Sequence, residues 1–428
     1  MLLRTIVRVS SGTRLLPFLA GFIVIALGDN LSGWVTPRYW LSATGTATLA
    51  LSFVGPACAG AGAWEGSRLR RGRISEQNAV RSPLAIAFPL LLPVFVMGMV
   101  GMAAALVVSA AAADVGFGMP IGFGMPNLGI LAVEAVLLAA NTLVGFILGR
   151  LWAPIIAVPA TLTASFVANA YPVSWSVVWI RHLVGGGLQD CCVLDQRMDV
   201  WALVSAGAFG TGVCLSAAVL IQYRKTVPAV VAAVALLAAG FAGGAASAHG
   251  LGADPVTARP AGDLECDHGQ PRICLWPEMD DRAGMVRAAS RKAVERLRRA
   301  GVAVPATLTM ADRPGSEETK LAIGPGVSAL GMPTGVAAGL LPHSPACADN
   351  GERYPAADAY GPVGAWLSLT AGASPRSLTN RVAPPELALA QHVLKQSRKA
   401  QLAWYERNTR AMRACNVRPQ LDIDGSHG

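Results

Sequence analysis

The residue in this sequence best placed to do chemistry is an acid inside an apolar run. Glu134 stands among Leu, Val and Ala in residues 128–149, and Asn141 follows seven residues later, on the same face of a helix. A carboxylate carried into a bilayer is expensive, and such residues mark substrate pathways, proton relays or buried polar partners. Glu134 and Asn141 are therefore the transport-pathway candidates. The plainer alternative is a structural contact, since Glu134 lies about six residues from one end of its run and could reach interfacial water.

The eight cysteines come next. Cys58 and Cys214 fall within apolar runs, and the other six lie in polar segments. Cys266 and Cys274 bracket a Gly-Gln-Pro turn. Cys347 and Cys415 would staple the last helical segment to an irregular region, and Cys191-Cys192 is a vicinal pair with no assigned partner. A metal site from Cys266, His268 and Cys274 lacks a second ligand cluster at zinc-finger spacing. No G-x-x-x-x-G-K-[ST], H-E-x-x-H or G-x-S-x-G occurs, so the sequence offers no nucleotide-hydrolysing, zinc-protease or serine-hydrolase site and names no cofactor. The expectation is a protein that is not an enzyme.

The elements that must position these residues are membrane spans. The chain is 53% hydrophobic and only 14% charged, and residues 249–428 carry 39 of its 61 Asp, Glu, Lys and Arg side chains. Before residue 249, apolar runs occupy 15–28, 41–64, 84–110, 128–149, 151–170, 201–222 and 227–248. The arginine cluster Arg68-Leu-Arg70-Arg71-Gly-Arg73 fixes their orientation, because short Arg- and Lys-rich loops stay cytoplasmic. Alternating from that loop places the N-terminus and the segments at 65–83, 150 and 222–226 inside with 11 Arg and Lys, against three outside (Arg38, Arg181, Arg197). All six non-membrane cysteines then fall outside, which is the oxidising side. The net charge of +9 sits largely in loops facing lipid head groups, a pattern that excludes nucleic acid as the partner.

The expected architecture is an α-helical transmembrane bundle of about seven spans, or six plus an anchor (1–248), followed by a small extracytoplasmic α+β domain (249–428). Arg224-Lys225, the last apolar run and Ala246-Ser-Ala248 also have the form of an internal signal peptide with a cleavage site. Within 249–428 the patterns predict strands at 272–276, 305–310 and 365–370. They also predict a helix from Asp280/Asp281 to Gly301 and one long helix from Pro385 to about Ala414, with 311–383 largely irregular.

One resemblance adds to this reading. Trp40-Leu41 followed by Thr44, Thr46 and Thr48, then Gly55-Pro56-Ala57-Cys58 and Trp64-Glu65-x-x-Arg68-x-Arg70-Arg71, resembles the second span and first cytoplasmic loop of bacterial ABC-transporter permease-like membrane proteins. The N-terminal Met-Leu-Leu-Arg-Thr and the segment Cys266 to Ile273-Cys274-Leu-x-Pro277 are similar too. The resemblance implies a multi-pass subunit of the bacterial cell membrane, energised by a separate ATPase. That ATPase would dock on residues 65–83, with Arg68, Arg70, Arg71 and Arg73 as contacts, and on the basic N-terminus. Seven spans depart from the six of exporter permeases. A second copy of the chain is a further candidate partner. The alternative reading is a non-transporting membrane-anchored sensor or envelope-interaction protein.

Overall fold

The structure is a computed structural model, and it describes residues 10–28, 35–72, 81–116, 125–223, 226–345, 347 and 354–422. The chain divides into two compact units, residues 1–257 and 258–428. In the first, the elements are α1 (Ser11–Gly28), α2 (Trp40–Ala47), α3 (Leu51–Arg71), α4 (Pro83–Ala112), α5 (Leu128–Leu151), α6 (Pro154–Ala170) and α7 (Val178–Leu183). Strand β1 (Gln196–Met198), α8 (Val200–Tyr223), α9 (Val227–Ala248) and β2 (Val256–Ala258) follow, and β1 pairs with β2.

Among the described residues, five helices are long and apolar enough to cross a membrane. They are Trp40–Arg71, in which a 3-10 turn at Thr48–Ala50 joins α2 to α3, together with α4, α5, α8 and α9. Helices α1 and α6 are apolar but shorter. Two of the starts are capped: Asn127 caps α5, its Oδ1 accepting from Ile130 N at 3.0 Å, and Ser82 caps α4 ahead of Pro83.

The α2–α3 helix is the hub of this unit, since 83% of its most apolar window is buried, against 17% for α9. Two small-residue repeats explain its burial. Gly62 and Gly66 of α3 face Gly145 and Gly149 of α5, and a Cβ on any of the four would collide with backbone carbonyls of the other helix. In lipid, where helices gain little from burying apolar surface against one another, such close backbone approach supplies the attraction. Along this seam α3 and α5 run parallel, with Asn127 N on Thr44 Oγ1 at one end and Gly66 against Arg150 N at the other.

The second unit contains β3 (Glu265–Cys266), β4 (Arg272–Leu275), α10 (Asp280–Arg299), β5 (Thr307–Thr309), β6 (Glu318–Lys320), α11 (Met332–Gly339), α12 (Tyr360–Ala371), α13 (Pro375–Leu378), α14 (Pro384–Leu394) and α15 (Arg398–Met412). The four strands form one sheet in the order β3-β4-β5-β6. Strand β3 is antiparallel to β4, whereas β4-β5 and β5-β6 are parallel, with α10 as the crossover between β4 and β5. Within this small sheet-and-helix unit, β4, α10 and β5 form a βαβ arrangement extended by further helices. The alternation at Ile273, Leu275 and Leu308 marks strands but carries no information on their direction.

The expected α10 and the strands at β4 and β5 are present. Residues 365–370 are not a strand but part of α12, where Ala365, Trp366, Leu367 and Ser368 are all buried. A short apolar run buried on all sides has no periodicity with which to choose helix or strand. The single long helix from Pro385 is also corrected: it is α14 and α15 with a break at Lys395–Ser397. Ser397 Oγ caps α15 at Ala400 N, and Gln401 Nε2 donates to the Leu394 and Gln396 carbonyls that end α14. The stretch 311–383 holds β6, α11, α12 and α13 rather than being irregular.

Candidate functional site

Helix α5 carries both intramembrane candidates; Glu134 is buried with Ile130 and Leu138, and Asn141 is half-buried. Leu138 packs toward Gly98 of α4, where Cys58 of α3 also points, so the Ile130-Glu134-Leu138 face turns to the α3–α4 junction. Glu134 is 2% exposed, and neither carboxylate oxygen has a hydrogen-bond partner among the described residues. Three further buried hydroxyls of this unit, Thr46, Ser109 and Ser205, also lack partners among the described residues.

Asn141 is in a different position. Its Oδ1 accepts from Ser165 Oγ at 2.6 Å and from Asn169 Nδ2 at 3.3 Å, both on α6, while its own Nδ2 donates to Leu137 O. Gly55 of α3 leaves the space this cluster occupies. Ser165 and Asn169 stand at i and i+4 in an apolar helix, a spacing that could have flagged them. The structure thus makes Asn141 part of a satisfied α5–α6 bridge and leaves Glu134 without a partner among the described residues. Two turns of helix, about 10 Å along the axis, separate the two residues.

At the opposite end of α3 the arginine cluster is engaged within the chain. Arg68 pairs with Glu65 at 2.9 Å, Arg70 Nη1 donates to the Leu151 carbonyl at the end of α5, and Arg71 stacks over Trp64 at 5.3 Å. Arg73 lies outside the described residues, as do residues 1–9 of the basic N-terminus and Arg224-Lys225. Glu65, overlooked as a site in the sequence, is 1% exposed and accepts from both the N–H and the hydroxyl of Ser11, anchoring the start of α1.

The segment between α6 and α8 is also ordered by contacts the sequence does not announce. His182 Nε2 donates to the Gly252 carbonyl at 2.9 Å, Arg181 lies 3.9 Å from Asp254, and Asp199 N donates to the Pro255 carbonyl. Burial holds the His182 imidazole below its ordinary pKa, the Gly252 carbonyl opposing and the Arg181 charge adding to the effect. Residues 252–257 are therefore fastened to the first unit. Ala246-Ser-Ala248 forms the last turn of α9, with Ala248 fully buried, so this sequence is helical and not an extended exposed stretch.

In the second unit Cys266 is bonded to Cys274 across the β3–β4 pair, and Cys347 to Cys415 with Cα atoms 6.0 Å apart. Cys191 and Cys192 are bonded to each other in the first unit. Asp267 fixes the hairpin turn between β3 and β4. It accepts from Gly269 N and Ile273 N, pairs with Arg291, and lies 3.5 Å from Arg287. Burial works against its ionised form, but the two backbone N–H groups and the Arg291 charge outweigh it and hold the carboxyl below the usual carboxylate range. Arg259 stacks over Trp276 at 4.4 Å and pairs with buried Glu278 at 2.9 Å. Among the described residues no three His, Cys, Asp or Glu side chains are grouped to hold a metal.

These observations define a class: a mostly helical chain whose apolar helices suggest a membrane protein, joined to a small sheet-containing unit whose disulfides fit an external domain. In that second unit, residues 273–415 match the model of a domain of unknown function, DUF7224. No curated protein and no solved structure matches the chain.

Proposed function

We propose that this chain is the membrane-spanning subunit of an ABC-type transport system, energised by a separate ATPase, with residues 258–428 forming an extracytoplasmic ligand- or partner-binding domain. The observation that carries the reading is Glu134. A carboxyl buried between apolar helices, with no bonding partner among the described residues, is a cost with no structural return, whereas a site that must bind and release something requires unsatisfied capacity. Asn141 then serves as a fixed polar support for α5 rather than a ligand contact. The orientation has the arginine-rich end of α3 cytoplasmic and the disulfides outside. Seven crossings require α1 and α6 to span with about 27 Å and 25 Å of helix against roughly 30 Å of hydrocarbon, a mismatch that local thinning and interfacial side chains can absorb.

Three of the four arginines assigned to ATPase docking already have partners within the chain, and this favours a second reading. In it the helices only anchor the outer domain, and the protein is an envelope sensor or interaction module. Co-purification from native membranes in mild detergent separates the two. A stoichiometric ATP-binding partner whose ATP turnover falls with Glu134→Gln supports transport. Reproducible isolation without any ATPase sinks it in favour of the anchor. A phosphatase fusion after Pro255 should be active; an inactive fusion overturns the orientation in both readings.

A further inference from the structure

Helices α4, α5 and α8 leave an apolar groove at the arginine-bearing end of the first unit. Its cavity is about 250 Å³, with Leu84, Phe88 and Leu92 of α4 on one wall, Ala139 and Leu143 of α5 at the back, and Ile221 of α8 closing the other side. It opens sideways, since Phe88 is 65% and Leu92 39% exposed on the face a bilayer would cover. The end of the groove is polar. Leu84 N donates to Gln222 Oε1, joining α4 to α8, while Arg81, Ser82 and Tyr223 are exposed beside it. Arg81 stands one turn before Leu84.

We propose that this groove is a binding site for one anionic glycerophospholipid of the leaflet at the arginine-bearing end, with an acyl chain along Phe88, Leu92 and Leu143 and the phosphate at Arg81. What argues for a lipid is the pairing of this apolar wall with an exposed cation, Arg81, beside its polar end. The lining alone gives little preference, because lipid tails are as apolar as leucine. Selectivity therefore rests on Arg81, and one Arg near an anionic surface changes occupancy by about fivefold. The inference needs only that α4, α5 and α8 lie in the bilayer and does not depend on an ATPase.

The test uses the full chain, reconstituted in nanodiscs with a tenth of the lipid as phosphatidylglycerol, then extracted in mild detergent and analysed by native mass spectrometry. One phosphatidylglycerol per chain should be retained. Ala139→Trp, which fills the groove, should remove it, and Leu143→Trp serves if that variant does not fold. Arg81→Gln should keep a lipid but lose the preference for phosphatidylglycerol over phosphatidylcholine by about fivefold. Retention that merely follows the bulk lipid composition, or that survives both groove-filling variants, overturns the proposal. So does a groove-filling variant that shifts the oligomeric state and leaves retained lipid unchanged, which would assign the groove to a second copy.

Discussion

Replacing Glu134 by leucine should stabilise the first unit even as it removes function. At 2% exposure, with neither oxygen bonded among the described residues, the carboxyl contributes desolvation and no compensating hydrogen bond. An ionisable side chain at the centre of a membrane helix costs about 2.5–3.5 kcal/mol, whereas leucine there is favourable by about 0.5 kcal/mol. Glu134 is in the second turn of α5, about 9 Å from its start, so roughly half of that penalty applies. The net gain on substitution is then about 1–2 kcal/mol. For a unit of this size each kcal/mol moves the thermal midpoint by about 2–4 °C, so Glu134→Leu should raise it by about 2–8 °C. The assay is thermal unfolding of the full chain in one detergent, with Glu134→Gln as the control that keeps shape and polarity. A midpoint lowered by 2 °C or more in the leucine variant would mean that the carboxyl makes a stabilising contact, and the case for a functional acid would fail.

The second unit supports two further predictions. Because Asp267 is held below its unfolded value near 3.9, its contribution is fully present above that pH and is lost as the pH falls through the lower folded value. Protection of the β3–β4 hairpin and α10, measured by hydrogen exchange corrected for intrinsic rates, should drop below about pH 4, and Asp267→Asn should flatten that dependence. Asp267→Ala, which leaves the Ile273 N–H without its acceptor, should cost about 1–3 kcal/mol at neutral pH. The Cys347–Cys415 bond closes a loop with a sequence separation of 68, for which chain entropy gives about 4 kcal/mol. The double serine variant should accordingly lower the denaturant midpoint reported by buried Trp366 and Trp404; an unchanged midpoint would mean that the bond does not restrict the unfolded chain.

Much of this molecule was legible in its residues. The apolar runs mark the five long helices, and the cysteine positions mark both pairs in the second unit. These are local signals, or constraints that involve few residues. What covers a given face is another matter. Glu134 and Asn141 share a helical face and read alike, yet one is bonded to Ser165 and Asn169 and the other to nothing described. Arg68 reads as a presented charge, yet it pairs with Glu65, which also holds Ser11. Residues 365–370 read as a strand and form a helix, since an element buried on all sides has no polar face to reveal its period. The sequence alone determined which segments are apolar, where several helices begin and which cysteines could meet. Only the tertiary structure decided which polar groups find partners, because the partners lie on other helices and periodicity identifies a face without identifying what that face meets.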